Sequence, residues 1–206
     1  YQESEYTLPE SVTTVINGES LSIPLTWNVA TVDTSSAGTF TYYGTNEEYG
    51  RQVEFTLTVL ENVYDKQAGS IKNAYSANGK TYIDVDLVEL YVGFEEAVKE
   101  AVKDNRAAVN ENGEYFLPNS YYIRNNYTKL TTYEVSNNCT FQLLDYDLIY
   151  LGYDVTPKNN SSIPEAVSLE TFKNYIDNPI SKGRSVMCWI ELKNDVAYSI
   201  YRQHTP

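Results

Sequence analysis

Hydrophobic and polar positions alternate in short runs through the first sixty residues. The clearest run is Val53, Phe55, Leu57 and Val59, interleaved with Glu54, Thr56 and Thr58. A period of two places one side chain set on a core face and the other in solvent, which predicts a half-buried β-strand. Leu21, Ile23 and Leu25 alternate in the same way. Thr13–Ile16 leads into Asn17-Gly18, a pair that tolerates the positive φ of a tight hairpin turn. Ala37-Gly38 precedes a further run over Thr39–Gly44. No helical periodicity interrupts this stretch, so residues 1–62 are expected to form a small all-β sandwich.

Beyond Asn62 the pattern changes. Ser70–Ala77, Asn78-Gly79 and Lys80–Tyr91 give a hairpin signal. In its second arm Ile83, Val85 and Leu87 alternate with Tyr82, Asp84 and Asp86. Phe94, Ala97, Val98, Ala101 and Val102 then recur at helical spacing, with Glu95 and Lys99 as an i,i+4 pair on the outer face. After a polar loop holding Asn112-Gly113, three further strands are predicted at Tyr121–Arg124, Lys129–Val135 and Cys139–Tyr146. A long loop rich in Asn, Ser and Pro covers Leu151–Pro164. Ser168 is placed to cap a second helix, flanked by Val167 and Phe172 at hydrophobic-staple spacing and stopped by Pro179. Ser185–Lys193, the turn Asn194-Asp195 and Val196–Arg202 read as a closing hairpin. Residues 63–206 are therefore expected to form an α+β domain with two helices. Its mostly antiparallel sheet has six or seven strands and could close into a barrel with the helices plugging an end.

Five segments of the front part carry a resemblance. Leu8-Pro9-Glu10-Ser11-Val12, Ile23-Pro24-Leu25-Thr26-Trp27, Val32-Asp33-Thr34, Gly38-Thr39-Phe40-Thr41-Tyr42 and Val53–Val59 occur in the order seen in bacterial Ig-like domains of Gram-positive surface proteins. Residues 6–60 resemble that family, with Phe40 and Tyr43 standing where Tyr and Thr are more usual. The resemblance implies a β-sandwich serving as spacer, stalk or adhesion module, and it carries no catalytic residues. Most of residues 68–206 is similar to an uncharacterised domain of exported Gram-positive proteins, through "TYIDVDLVEL", "GFEEAVKEA", "YYIRNNYTKLTTYEVS" and the hairpin after "SLETFKNYI". That second resemblance implies an extracellular or cell-surface location and brings no assigned activity with it. The start at Tyr1, without methionine, reads as a mature or trimmed form.

Charge narrows the choice of partners. The chain of 206 residues has a net charge of −13, and no cluster of Lys and Arg offsets it. Phosphate backbones and anionic bilayers repel such a surface, so neither nucleic acid nor membrane is an expected partner. No apolar run approaches the ~20 residues of a membrane-spanning helix. A single histidine, His204, and two cysteines without a CxxC pair exclude the usual zinc sets. Cys139 and Cys188 lie in strand-like runs and are expected to be buried thiols, with a disulfide as the alternative.

Catalytic signatures are lacking: no GxSxG elbow, phosphate-cradling glycine loop or HExxH is present. Carboxylates cluster at Asp84, Asp86 and Glu89 and again at Asp145, Asp147 and Asp154. Glycoside hydrolysis needs only two carboxyls at a set spacing, and calcium favours the same oxygens. The simpler reading of Asp84 and Asp86 is the solvated face of a strand. No catalytic residue, metal ligand or cofactor is assigned. The 20 tyrosines suit half-buried strands, and they also suit sugar stacking or protein interfaces. Tyr121, Tyr122, Tyr127 and Tyr133, which bracket Arg124, form the candidate ligand face. Arg124 is either an anion reader or a structural partner of a ring or carboxylate. In a bacterial protein the Asn126, Asn138 and Asn160 sequons are chance matches. The expected function is a non-enzymatic binding or adhesion module, an Ig-like spacer presenting an α+β domain to a cell-envelope or host glycan or protein. The alternatives are a carbohydrate-binding accessory module of a larger exported enzyme, or a structural component of a surface array.

Overall fold

The computed structural model describes residues 1–155, 164–178 and 186–204. Its contacts divide the chain into two compact units, Tyr1–Asn62 and Val63–Pro206. In the first, β1 (Ser11–Ile16) and β2 (Glu19–Pro24) form an antiparallel hairpin. β3 (Thr26–Trp27), β4 (Gly38–Asn46) and β5 (Arg51–Val59) make a three-stranded antiparallel sheet. Asn17-Gly18 turns the hairpin with φ of 54° and 87°, the left-handed pair of a two-residue loop whose twist matches its strands.

Leu8, Ile23, Tyr42 and Val59 are buried in this unit. Trp27 is half-buried: its indole N–H donates to the Pro9 carbonyl at 2.8 Å, and its ring meets Phe55 edge-on, with centroids 6.0 Å apart. Tyr6 stacks on Phe55 in turn. The tryptophan thus anchors the sandwich through both its apolar body and its one polar atom.

The second unit is a mixed β-barrel. Strands β6 (Tyr64–Ala77), β7 (Lys80–Val92), β11 (Thr131–Leu143), β13 (Met187–Lys193) and β14 (Val196–Arg202) close the ring β7-β6-β13-β14-β11, and β11 returns to pair with β7. An odd ring cannot alternate direction all the way round, so one neighbouring pair must be parallel. That pair is β11 with β14. Every other pairing of this sheet is antiparallel, in keeping with the mostly antiparallel expectation. The chain between β11 and β14 contains α2, β12, α3 and β13, a connection of the length that parallel neighbours require. The edge strand β10 (Tyr121–Arg124) extends β7, and β12 (Glu165–Val167) extends β11. A small hairpin of β8 (Ala108–Val109) and β9 (Tyr115–Phe116) stands around Asn112-Gly113.

Two further expectations change. β11 is one long strand where two were predicted, with an irregularity between Val135 and Thr140 that absorbs the polar residues. The stretch to Tyr146 does not continue as strand, because a third helix, α2 (Asp145–Tyr150), begins after Leu144. The helices predicted around Phe94 and Ser168 are α1 (Phe94–Lys103) and α3 (Leu169–Asp177), and the Ser168 hydroxyl accepts the Thr171 N–H at 3.1 Å. Pro179, the Asn160 sequon and most of the predicted Leu151–Pro164 loop lie outside the described residues.

The barrel interior is filled by buried apolar side chains. Ile83, Val85 and Leu87 of β7 meet Ile71, Cys188, Ile190, Leu192, Ile200 and Leu143 from the other staves. Phe172, Tyr175 and Ile176 of α3 and Leu148 of α2 belong to the same cluster. A residue without a side chain is required at Gly69, because an added Cβ would lie 2.4 Å from the Val85 side chain and 2.9 Å from the Asp86 carbonyl. This close approach lets β6 and β7 curve tightly enough for a ring of five.

Candidate functional site

The tyrosine-rich stretch does not form one face. Side chains alternate along β10, so Tyr122 and Arg124 share one side while Tyr121 turns to the other. Tyr127 is exposed. Tyr133 sits opposite Ile83 on β11, partly buried against the barrel core, with Asp65, Asp195 and Tyr127 in its field.

Arg124 is a structural tie. Its Nε donates to Asp104 at 2.6 Å, Nη1 to Glu89 at 2.8 Å and to the Tyr91 hydroxyl at 2.7 Å, and Nη2 to the Glu100 carboxylate and carbonyl at 3.2 and 3.3 Å. A guanidinium has five N–H donors, and these contacts engage all five. The Tyr122 hydroxyl joins Asp104, Tyr91 joins Glu89, and the guanidinium lies against both rings, 5.2 Å from the Tyr91 centroid and 6.0 Å from that of Tyr122. The network bolts the C-terminal end of α1 to β7 and β10. No donor remains for an external anion, although Arg124 borders a hollow with Asp104, Arg106 and Asn126.

This network has a pH signature. Glu89 is held below the usual carboxylate range by the Tyr91 hydroxyl and Arg124, Asp104 by Arg124 and Tyr122, and Glu100 by Lys103 and Arg124. Folded-state values below the unfolded ones mean stability that is present above the ordinary values of 3.8–4.5 and lost as pH falls through the folded values. Arg124→Met removes the shared cation and leaves three carboxylates facing one another. In urea titrations the variant is therefore expected to unfold well before the wild type at pH 7, with the gap narrowing as pH falls below about 4. A gap that is constant with pH would show that Arg124 contributes by packing alone.

Of the carboxylates considered for catalysis, Asp84 and Asp86 are also spent on structure. Asp84 accepts from Thr132 at 2.7 Å and Asn73 at 3.0 Å, while Asp86 accepts from Asn125 and pairs with Lys72 at 3.4 Å. They form a polar ladder over the outer face of β6, β7 and β11. Asp145 and Asp147 are buried, whereas Asp154 is exposed. Among the described residues, no group of three or more His, Cys, Asp or Glu side chains is placed to hold a metal ion. Cys139 and Cys188 are both free, and burial pushes each thiol up to about 12, far from the reactive thiolate form.

Two features join residues that no pattern in the sequence connects. One is a buried polar set joining the staves to the helices. Arg202, on the interior face of β14, lies 3.6 Å from Asp147 of α2, and the Tyr175 hydroxyl of α3 donates to Asp147 at 2.5 Å. Burial pushes the Asp147 carboxyl up, opposed by Tyr175 and Arg202.

The other feature is a cleft of about 390 Å³. It is lined by Val92, Ser120 and Tyr121 on one side, Pro164, and Tyr201, Arg202, Gln203 and His204 on the other. Gln203 Oε1 accepts from the Trp189 indole at 2.7 Å, and His204 Nδ1 meets the Tyr146 hydroxyl at 3.0 Å. Lys66 lies over the rings of Trp189 and Tyr201 beside it, at 4.5 and 5.3 Å.

The architecture defines a two-unit β protein, an Ig-like sandwich in sequence with a small mixed barrel. Residues 1–49 match the family of the bacterial Ig-like domain (group 4), a domain typical of bacterial surface proteins. The match ends in the turn before β5, and β5 then completes the three-stranded sheet. No curated protein and no solved structure matches the chain. Among the described residues, no helix is long and apolar enough to cross a membrane.

Proposed function

We propose that the chain is a non-enzymatic binding module displayed on or secreted from a Gram-positive bacterium, with the Ig-like unit as spacer and the barrel as the recognising unit. The observation that carries this reading is the bacterial Ig-like match over residues 1–49. The side chains that would do catalysis support it, since Asp84, Asp86, Asp147 and Arg124 are all committed to internal bonds. The net charge of −13 directs the search toward uncharged or cationic partners and away from nucleic acid.

The test is retention of the purified chain on peptidoglycan sacculi, on insoluble polysaccharides and on immobilised host matrix proteins. Saturable retention on one of these, without release of soluble product, is the expected result. Turnover of any matrix would replace the reading with an enzymatic one, and a chain that passes through every matrix would leave a structural array component as the better account.

A further inference from the structure

The geometry points to the cleft between Tyr121 and Tyr201–His204 as a binding site for a neutral sugar, an inference that rests on the barrel being the recognising unit. Residues far apart in the sequence build it. Val92, Ser120 and Tyr121 come from the end of β7 and the start of β10, and the opposite wall comes from the end of β14 and the residues after it.

Sugars offer two surfaces at once, apolar C–H faces and a rim of hydroxyls, and the cleft offers a complement to each. Tyr121 and Tyr201, both half-buried, line the cleft and bring to it side chains that combine an apolar ring with a polar tip. The polar groups are fixed in place and still have capacity to spare. Among the described residues, Gln203 donates one amide hydrogen, to the His204 carbonyl at 2.7 Å, and accepts one bond, from Trp189, which leaves a second hydrogen and a second lone pair. His204 meets Tyr146 through Nδ1, and among the described residues its Nε2 has no partner. A few oriented polar groups within an aromatic lining are the usual make-up of a small-ligand site.

Charge selects the kind of sugar. Arg202 is 8% exposed and lines the cleft, but its Nε faces Tyr175 and Asp147, and its Nη1 donates to the Met187 and Gln203 carbonyls at 2.9 and 2.6 Å. Its charge is balanced internally by Asp147, and the chain as a whole is strongly acidic. A polyanionic glycan meets long-range repulsion from this net charge of −13, which the Lys66 ammonium beside the cleft offsets only in small part. A neutral hexose or N-acetylhexosamine avoids that penalty.

Only two tryptophans are present, Trp27 and Trp189. In a Trp27→Phe background the full chain therefore reports through Trp189, whose indole is bonded to a cleft residue. Soluble oligosaccharides of glucose, mannose and N-acetylglucosamine would be titrated against it. Purified sacculi and mucin, as separate arms, would distinguish a cell-wall from a host source. At least one sugar is expected to shift the Trp189 emission saturably, with Tyr121→Ala and Gln203→Ala each weakening binding about tenfold. Tyr115→Ala, on the exposed β9, is expected to leave it unchanged.

Nitration of the unsubstituted chain provides a test independent of folding in the variants, since bound sugar should slow modification of Tyr121 and Tyr201 and not of Tyr115. Sugar binding that survives both cleft substitutions and leaves nitration unchanged would overturn the site while keeping the barrel as a binding unit. A chain that binds no sugar but is retained on a protein matrix would overturn the ligand class in the same way. A chain retained on nothing would overturn the broader reading as well.

Discussion

Asp147→Ala is expected to destabilise the barrel unit by about 3–5 kcal/mol, the cost of stranding a buried cation. Asp147 is 1% exposed and receives three contacts: the Tyr175 hydroxyl at 2.5 Å, the Leu144 N–H at 3.1 Å and the Arg202 guanidinium at 3.6 Å. It thus caps the first turn of the six-residue α2 while answering a charge on the barrel wall and a hydroxyl on α3. Removing it leaves Arg202 buried without its counter-charge and leaves an N–H at the start of α2 without its acceptor. Urea unfolding followed by Trp189 emission in the Trp27→Phe background would measure the loss. The double variant Asp147→Leu/Arg202→Met separates the charge effect from the packing effect. It should recover most of the lost stability, because an ion pair replaced on both sides by apolar groups is often neutral or better. A double variant as unstable as the single one would assign the loss to the cap and the hydroxyl contact.

Asp147 stands in a visible carboxylate cluster, but nothing along the chain links it to Tyr175 and Arg202. Arg202 ends a strand whose alternation is broken between Glu191 and Leu192 of its partner, so inward positions on β14 run Ala197, Ile200 and Arg202 and no longer follow a period of two. Local chemistry was more legible. The Asn17-Gly18 and Asn78-Gly79 turns, the inward row Ile83, Val85 and Leu87, the stripe of α1 and the Ser168 cap each depend on residues within a few positions of one another. The parallel β11–β14 pair and the β7–β11 closure depend on strands separated by tens of residues, and periodicity holds no information about which strands meet. The candidate ligand face is subject to the same limit. Tyr121, Tyr122 and Arg124 are adjacent in sequence, yet the pleat sends Tyr121 into the cleft and commits the other two to the α1 tie. The facing wall, Tyr201–His204, lies at the far end of the chain.

Phe172→Ala is expected to cost about 3–5 kcal/mol, the range for deleting a fully enclosed aromatic ring. Phe172 is fully buried, packs on Phe141 with centroids 5.1 Å apart, and enters the same cluster as Leu143, Ile190 and Ile200. Five staves have little freedom to collapse inward, because each is hydrogen-bonded to neighbours on both sides around the ring. A void there would relax only slightly, which places the loss toward the upper part of that range. Tyr175 and Ile176 lie on the same helix face as Phe172, so losing the ring also loosens α3 and, through Tyr175, the contact with Asp147. The measurement is again urea unfolding, with Phe172→Leu as the graded comparison. Leucine keeps much of the apolar volume and should recover more than half of the loss. If Phe172→Ala cost less than about 1 kcal/mol, the interior would have to be filling the space from elsewhere, and α3 would be a peripheral helix with no part in closing the barrel.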